Sequence, residues 1–396
     1  MLNARECALR ILQKIDTRNA YSNLVVDEVI SKSVLETLDR GFCTQLVYGV
    51  LRHQNTIDHV IRQFIETPER FHQMNRWLLS ILRMGVLQIL YLDKVPFYSA
   101  VDEAVKLAKE FGRTEAARIL KADNFAPPMT LRVNTLKAKS ESVLAALSDL
   151  GAERTRICPE GIVVKRAQEL TSLSVFSDGH FYIQDEASML VAHVVDPQPL
   201  EVIMDLCASP GGKTTHLAAL AENNAIIIAF DRFSHKINRI KDNCRRLGVT
   251  CVTMKIQDTL KLRDDKRAHR ILVDVPCSCT GIIRHHPELK WQLTPEGIAE
   301  LSKIQLQLLE VGAAHVAPGG IVVYSACSIE AAETVDVVRR FLDGHPDYVF
   351  DPFPDRVLGW LDAAVPDHTG RGGSMRFLPH LHGTDGFFVA RLKRIR

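Results

Sequence analysis

No stretch of this 396-residue chain approaches the roughly 18–20 consecutive apolar residues that a membrane span needs. The first residues, Met1-Leu2-Asn3-Ala4-Arg5-Glu6, carry charges where a secretion signal has its apolar core. The nine cysteines are scattered and odd in number, so no disulfide framework follows. A cytoplasmic protein with reduced thiols is the expectation. Net charge is only +2, which does not announce a nucleic-acid binder and leaves room for no more than a local basic face. There is no internal repeat and no low-complexity segment. Nucleotide fingerprints are also incomplete. Gly212-Lys213-Thr214 has the tail of a phosphate-binding loop, but that motif needs glycine at position 207, where cysteine stands. Gly-x-Gly-x-x-Gly does not occur. No second Cys/His pair at ligand spacing accompanies Cys277-Ser278-Cys279, so no metal is expected.

What is present is an ordinary globular composition, 46% hydrophobic and 24% charged, long enough for two or three domains. Residues 1–125 read as helices. Apolar residues recur at helical spacing in Cys7-Ala8/Ile11-Leu12/Ile15, Leu46-Val47/Val50-Leu51 and Ile81-Leu82/Val86/Ile89-Leu90. On this pattern alone the bundle could bind RNA, dimerise or simply pack. Pro127-Pro128 marks a boundary. Residues 126–198 then read as a small α+β domain, with strands at Thr130–Asn134, Gly161–Lys165 and His180–Gln184 and a helix at Ser140–Leu150. From 199 to 396 strand and helix periods alternate, which implies a mostly parallel sheet with crossover helices. Its strands are expected at Val202–Leu206, Ala225–Asp231, Cys251–Ile256, Arg270–Asp274, Gly320–Ser325, Tyr348–Phe350 and Gly386–Leu392, with helices opening at His216–Ala221 and Lys236–Leu247.

Three stretches at strand ends carry chemistry. Cys207-Ala208-Ser209-Pro210-Gly211-Gly212-Lys213 turns a strand into a helix whose free N–H groups can meet an anionic group. Asp231, about 20 residues on at the end of the second strand, is placed to hold a ribose, and Asp258 to reach an adenine amine or else cap a turn. Together these favour S-adenosylmethionine. Asp274 and Cys277 follow the fourth strand, and Cys327 follows the fifth. Two thiols and a carboxylate beside a methyl donor suit attack on carbon 6 of a pyrimidine, which makes carbon 5 nucleophilic. The local pattern leaves open which thiol attacks. Cys7, Cys43, Cys158, Cys244 and Cys251 read as small buried hydrophobes. Arg284, His285, His286 and Lys290 could meet phosphates and Trp291 could stack a base, unless they form a solvated loop over a core tryptophan.

These motifs resemble the RNA cytosine-C5 methyltransferases of the Nop2/Sun type. The resemblance rests on Asp205–Thr215, Asp274–Gly281 continuing to Trp291, Tyr324–Ser328, Tyr182–Ser188 and Gly383–Phe388, and it covers nearly the whole chain. It implies a Rossmann-like S-adenosylmethionine-dependent catalytic domain at 199–396, a NusB-like helical RNA-binding domain at 1–125 and the small α+β domain between them. It implies Cys327 as nucleophile, Cys277 as the residue that helps release product, and a cofactor site of Cys207–Lys213, Asp231, Asp258 and Asp274. Small-subunit ribosomal RNA is the implied substrate and a monomer the expected state. A transfer-RNA substrate, an idle RNA-binding assembly factor and a small-molecule methyltransferase are the rival readings. The chain departs from the family at Ser209 for alanine and Ala326 for threonine. Glu330-Ala331-Ala332-Glu333-Thr334 keeps one acidic residue of a Glu-Asn-Glu pattern and lacks its asparagine, and the linker from Gly112 to Pro127 is short.

Overall fold

The computed structural model describes residues 3–18, 22–33, 35–63, 74, 76–93, 95–96, 98–108, 122–123, 125–166, 170–263, 266–365 and 368–396. The chain divides into two compact units, Met1–Lys121 and Ala122–Arg396. The short linker from Gly112 falls largely outside the described residues.

The first unit is helical. It comprises α1 (Ala4–Arg18), α2 (Ser22–Ser31), α3 (Thr37–Gln63), α4 (Arg76–Tyr91) and α5 (residues 98–108). The apolar positions that recur every three or four residues make one core, with Leu9, Ile11, Leu46, Val47, Ile57 and Met84 fully buried. Inside it Arg83 Nε and Nη2 donate to the two oxygens of Asp58 at 2.7 and 2.8 Å. Among the described residues no helix is long and apolar enough to cross a membrane.

The second unit holds two sheets. The small one has the antiparallel order β2 (Glu153–Arg154), β3 (Gly161–Val164), β1 (Met129–Val133), β4 (Phe181–Ile183). Beside it α6 (Ser140–Ala146) contributes Val143 to a core with Leu131, Ile162 and Phe181. The expected helix to Leu150 ends earlier, in a single 3₁₀ turn at Ser148–Leu150 closed by Gly151 in the left-handed region. After it come α7 (Ser174–Ser177) and α8 (Glu186–Val195).

The large sheet uses β5 (Val202–Asp205), β6 (Ile226–Asp231), β7 (Val252–Ile256), β8 (Ala268–Asp274), β9 (Val316–Ala326), β10 (Tyr348–Phe350), β11 (Ser374–Phe377) and β12 (Phe387–Arg394). Its order is β10-β12-β9-β8-β5-β6-β7, with β11 also pairing β12. The strands β9, β8, β5, β6 and β7 are mutually parallel, and β12 runs against β9. Alternation along each strand sends side chains to two cores. Ile203, Ile227, Leu272 and Val323 face α8, α9 (Gly212–Leu220) and α10 (Ser234–Leu247). Met204, Ile228, Ile271, Val273 and Val322 face α11 (Pro295–His315) and α12 (Val335–Gly344). The remaining helices are α13 (Asp355–Ala364) and α14 (Pro379–His382).

Element bounds shift where turn chemistry overrides periodicity. The helix expected to open at His216 begins at Gly212, because Gly211 takes φ 98° and caps it from a left-handed turn. Two strands, β2 and β11, were not expected from the sequence. The latter follows Gly370, Gly372 and Gly373, which read as loop, and pairs only with β12.

The buried Arg83–Asp58 pair yields the first prediction. Asp58→Ala should lower the unfolding free energy of the helical unit in the full chain by about 3–5 kcal/mol, because a buried guanidinium loses its counter-charge. The double variant Asp58→Ala/Arg83→Met should lose much less. Urea unfolding followed by circular dichroism measures both.

Candidate active site

From β5 the chain moves outward to β6 and β7, then crosses back to place β8 on the other side of β5. The crevice outside the carboxyl ends of β5 and β8 is therefore a topological switch point, where open α/β sheets bind ligands. Leu206 N donates to Leu272 O and Ala208 N to Phe230 O, both at 3.0 Å, so the loop after β5 is sewn to both neighbours. The Ser209–Pro210 peptide is cis.

Arg132, from β1, holds this loop from the small sheet. It is fully buried, and its Nη1 donates to Gly212 O at 2.5 Å and to Gln184 Oε1 at 2.7 Å. Its Nη2 reaches Thr215 Oγ1 at 3.0 Å, and the guanidinium stacks on Tyr182. Sequence reasoning missed it. The available signal was a lone cation between Leu131 and Val133 in a strand.

A cavity of about 270 Å³ opens at the switch point. Of the expected residues, Cys207, Ala208, Ser209, Pro210, Gly212, Lys213, Asp274 and Cys327 line it, whereas Gly211, Asp231, Asp258 and Cys277 do not. Asp231 Oδ1 instead accepts from Phe233 N at 3.0 Å at the end of β6. Asp258 caps the turn Thr259–Lys261 through Leu260 N at 3.2 Å, the turn-capping alternative. Asp205, unflagged as a site residue by the sequence, is in the wall. Its Oδ2 accepts from Thr214 Oγ1 at 2.7 Å, while Oδ1 is buried without a partner. Burial pushes its carboxyl up to about 7, against the Thr214 hydrogen bond and with the help of the Asp274 charge.

The strands β8 and β9 are neighbours in register. Asp274 pairs with Ser325, and Val275 N continues the ladder to Ser325 O at 3.0 Å. The two thiols that follow these strands therefore meet, with Cys277 Sγ and Cys327 Sγ 3.2 Å apart and Cys279 Sγ 3.5 Å from Cys327. Asp274 Oδ2 accepts from Lys213 Nζ at 2.8 Å and Oδ1 from Ser325 Oγ at 2.7 Å. Burial opposes the ammonium of Lys213, but the charge of Asp274 and its hydrogen bond outweigh that and raise the lysine above its ordinary value. Hydrogen bonds from Cys277 and Cys327 lower the Cys279 thiol to about 4, while its two neighbours move the other way. Hydrogen bonding to Cys279 and Cys327, with burial, raises Cys277; against the hydrogen bond of Cys277, Cys327 is pushed up to about 12 by Cys279 and by burial.

Glu333 fixes both thiol-bearing loops. Completely buried, it accepts from Ser278 N at 2.8 Å, from Ser278 Oγ, from Ser328 Oγ at 2.6 Å and from Gln305 Nε2 of α11 at 3.0 Å. Gly281 N donates to Cys327 O at 3.1 Å. A Cβ on Gly281 would lie 1.9 Å from Gly386 O, so this contact admits glycine alone.

The basic loop differs from expectation. Arg284 is not a free cation: its side chain is 6% exposed and Nε donates to Asp385 Oδ1 at 2.8 Å. His285 Nε2 lies 3.0 Å from both oxygens of the same carboxylate. A single carboxylate a hundred residues downstream, outside any local pattern, engages both. His286 is exposed and meets Glu288 at 3.3 Å. The side chains of Lys290 and Trp291 lie outside the described residues.

Two outcomes follow. Glu333→Ala should cost at least about 3 kcal/mol by stranding buried donors, and should speed alkylation of Cys277 and Cys327 by a maleimide. For Asp205 the folded-state carboxyl is raised from 3.8 to about 7. Between those values the folded chain keeps a proton that the unfolded chain has lost, so stability falls as pH rises through that window. Asp205→Asn should flatten the slope measured by denaturation across pH 4–7 (roughly the span between the two pKa values), leaving the part owed to buried Asp185, whose carboxyl is also pushed to about 7.

Comparison with known proteins agrees with this architecture. The family described as 16S rRNA methyltransferase RsmB/F matches residues 192–393, the NusB family residues 2–120, and the ferredoxin-like domain of RsmF/B-like methyltransferases residues 104–171. A probable ribosomal RNA small subunit methyltransferase B of Bacillus subtilis is 31% identical over 99% of each chain. Another from Synechocystis is 31% identical over 100% of each. Among solved structures, PH0851 is 28% identical over 98% of each chain with a TM-score of 0.66. NSun6 from Pyrococcus horikoshii, solved with SFG, shares the fold at 24% identity, covering 74% of this chain and 97% of its own with a TM-score of 0.64. The chain belongs to the RsmB/F methyltransferase family.

Proposed function

We propose that the protein methylates carbon 5 of a cytosine in small-subunit ribosomal RNA, through a covalent bond between Cys327 and carbon 6. The observation that carries the assignment of roles is the cavity wall. Cys327 lines it together with Lys213, Asp274 and the loop after β5, while Cys277 does not line it and lies 3.2 Å behind. The relatives named as small-subunit rRNA methyltransferases support the substrate, and the match to the NusB family supports RNA engagement by the N-terminal helices.

The methyl donor is S-adenosylmethionine. The residues fit it: Asp205, in the cavity wall with an unpartnered Oδ1, can accept from a cationic or hydroxyl-bearing group, and Ala208–Pro210 and Gly212 line the cavity at the start of α9. Cys207–Lys213 and Asp274 would hold it, with Asp231 and Asp258 beyond the cavity wall completing the nucleoside side. Bound there, it supplies an electrophilic methyl group. The chain does the rest. Against the hydrogen bond of Cys277 and the Lys213 ammonium, Cys279 and burial hold the Cys327 thiol above its ordinary value. It must therefore give up its proton as the substrate binds, before its sulfur adds to carbon 6 and places electron density on carbon 5. Asp274, oriented by Lys213 and Ser325, meets the N3 side of the ring and favours that addition. Once carbon 5 carries the methyl group, Cys277 acts as the base that takes its proton, the electron pair left behind re-forms the 5,6 double bond, and Cys327 leaves as thiolate. A cytosine held in a helix must first be flipped out, at a cost of a few kcal/mol, so a loop or open strand is favoured.

Incubating wild type, Cys327→Ser and Cys277→Ser with labelled donor and ribosomal RNA tests this. Cys277→Ser should accumulate protein–RNA adducts that survive denaturing gels. Cys327→Ser should give neither adduct nor methylcytosine. An inverted pattern exchanges the roles of the two cysteines, and labelling confined to transfer RNA overturns the substrate.

A further inference from the structure

Cys279 has no part in the chemistry above, yet its sulfur stands 3.5 Å from that of Cys327. Its backbone is in the left-handed region, φ 59° and ψ 24°, a conformation that favours glycine and that other residues adopt under strain. A strained position held by a thiol, where glycine would be at ease, points to something the sulfur does.

We propose that Cys277, Cys279 and Cys327 form a three-sulfur site for a thiophilic divalent cation, Zn²⁺, and that its occupation shuts off methyl transfer. Zn²⁺ prefers thiolate ligands in a tetrahedral array with Zn–S of about 2.3 Å, which puts ligand sulfurs ~3.8 Å apart. Two of the separations here are 3.2 and 3.5 Å, and all three sulfurs lie within 4.8 Å of one another. Movement of no more than about an ångström completes that face. The ligands come from two loops that Glu333 locks together, so the site is organised before a metal arrives. The fourth position opens through Cys327 to the cavity, where water can complete the shell, and Lys213 in the same wall offsets the charge of three thiolates. Binding expels the thiol protons to solvent and moves no electrons.

Another group with ligand chemistry, Cys158, Glu160 and His193, offers no such site. It is entirely buried, Glu160 already accepts from His193 at 2.7 Å, and Cys158 Sγ is engaged with Glu186 O. The inhibitory half of the proposal rests on Cys327 as nucleophile. Metal binding itself does not.

The test uses the full chain, reduced and metal-free, as wild type, Cys279→Gly and Cys279→Ser. Titration with Cd²⁺ reads the ultraviolet sulfur-to-metal band, and Zn²⁺ inhibition of RNA methylation is measured in parallel. Wild type should show a band saturating at one Cd²⁺ per chain, displaced by Zn²⁺, with inhibition reversed by a chelator. Cys279→Gly, which suits the left-handed backbone, should still methylate and, measured against its own metal-free rate, need at least about tenfold more Zn²⁺ for half inhibition than wild type, with Cys279→Ser similarly insensitive. Absence of the stoichiometric band, or equal Zn²⁺ sensitivity in Cys279→Gly, overturns the site. If metal-free wild type methylates no RNA, the proposed function fails, while the Cd²⁺ titration still decides the metal site.

Discussion

The catalytic end of the sheet depends on the carboxylate of Glu333. Two loops leave adjacent parallel strands there, and nothing in the ladder dictates how they continue past Asp274 and Ala326. Glu333 supplies that instruction by taking a backbone N–H and a hydroxyl from one loop, a hydroxyl from the other and an amide from α11. A buried carboxylate is costly unless its lone pairs are filled. Here they are, and the peptide of Glu333 is held as well, its carbonyl accepting from Tyr324 Oη at 2.5 Å. The loops that carry the three sulfurs are thus joined by an acid whose own hydrogen bonds go to serine and glutamine.

Register and topology do the coarser work. Because β8 and β9 are parallel neighbours, the loops that begin after Asp274 and Ala326 start side by side, and Glu333 then sets how closely Cys277 and Cys327 meet. Because β5 lies on the other side of β8, the loop carrying Lys213 reaches the same place. The Lys213–Asp274 ion pair is the seam between these halves, joining the loop after β5 to the end of β8. Being largely buried, it escapes most of the solvent screening that weakens surface pairs.

Much of this was legible in the sequence, for physical reasons. Ile271-Leu272-Val273 and Ile226–Phe230 are continuous apolar runs, which only strands covered on both faces require. The cysteines stand out because each follows such a run directly. What was illegible depends on distant partners. Arg132 reads as a misplaced charge in a strand until the Gly212 carbonyl, eighty residues on, is seen to need it. Arg284 reads as a phosphate ligand until Asp385 takes it. Glu333 could be noted as an acid kept where a family pattern has one, but its role needs the loops it joins. β11 was lost because three glycines in four residues masked a strand.

The small sheet is more than a spacer in this light. Its buried Arg132 spends its guanidinium on the first turn of α9, where the donor-side loop must keep its shape. A guanidinium taken fully out of water needs every hydrogen bond it can make, and the structure leaves its Nε without one. Such a group holds its contacts tightly, because losing any one of them leaves more of the charge uncompensated. The cofactor loop is thus clamped from one side by Arg132 and from the other by the Lys213–Asp274 pair. A shift of the small sheet against the large one would be felt first at Gly212, before it reached either cysteine.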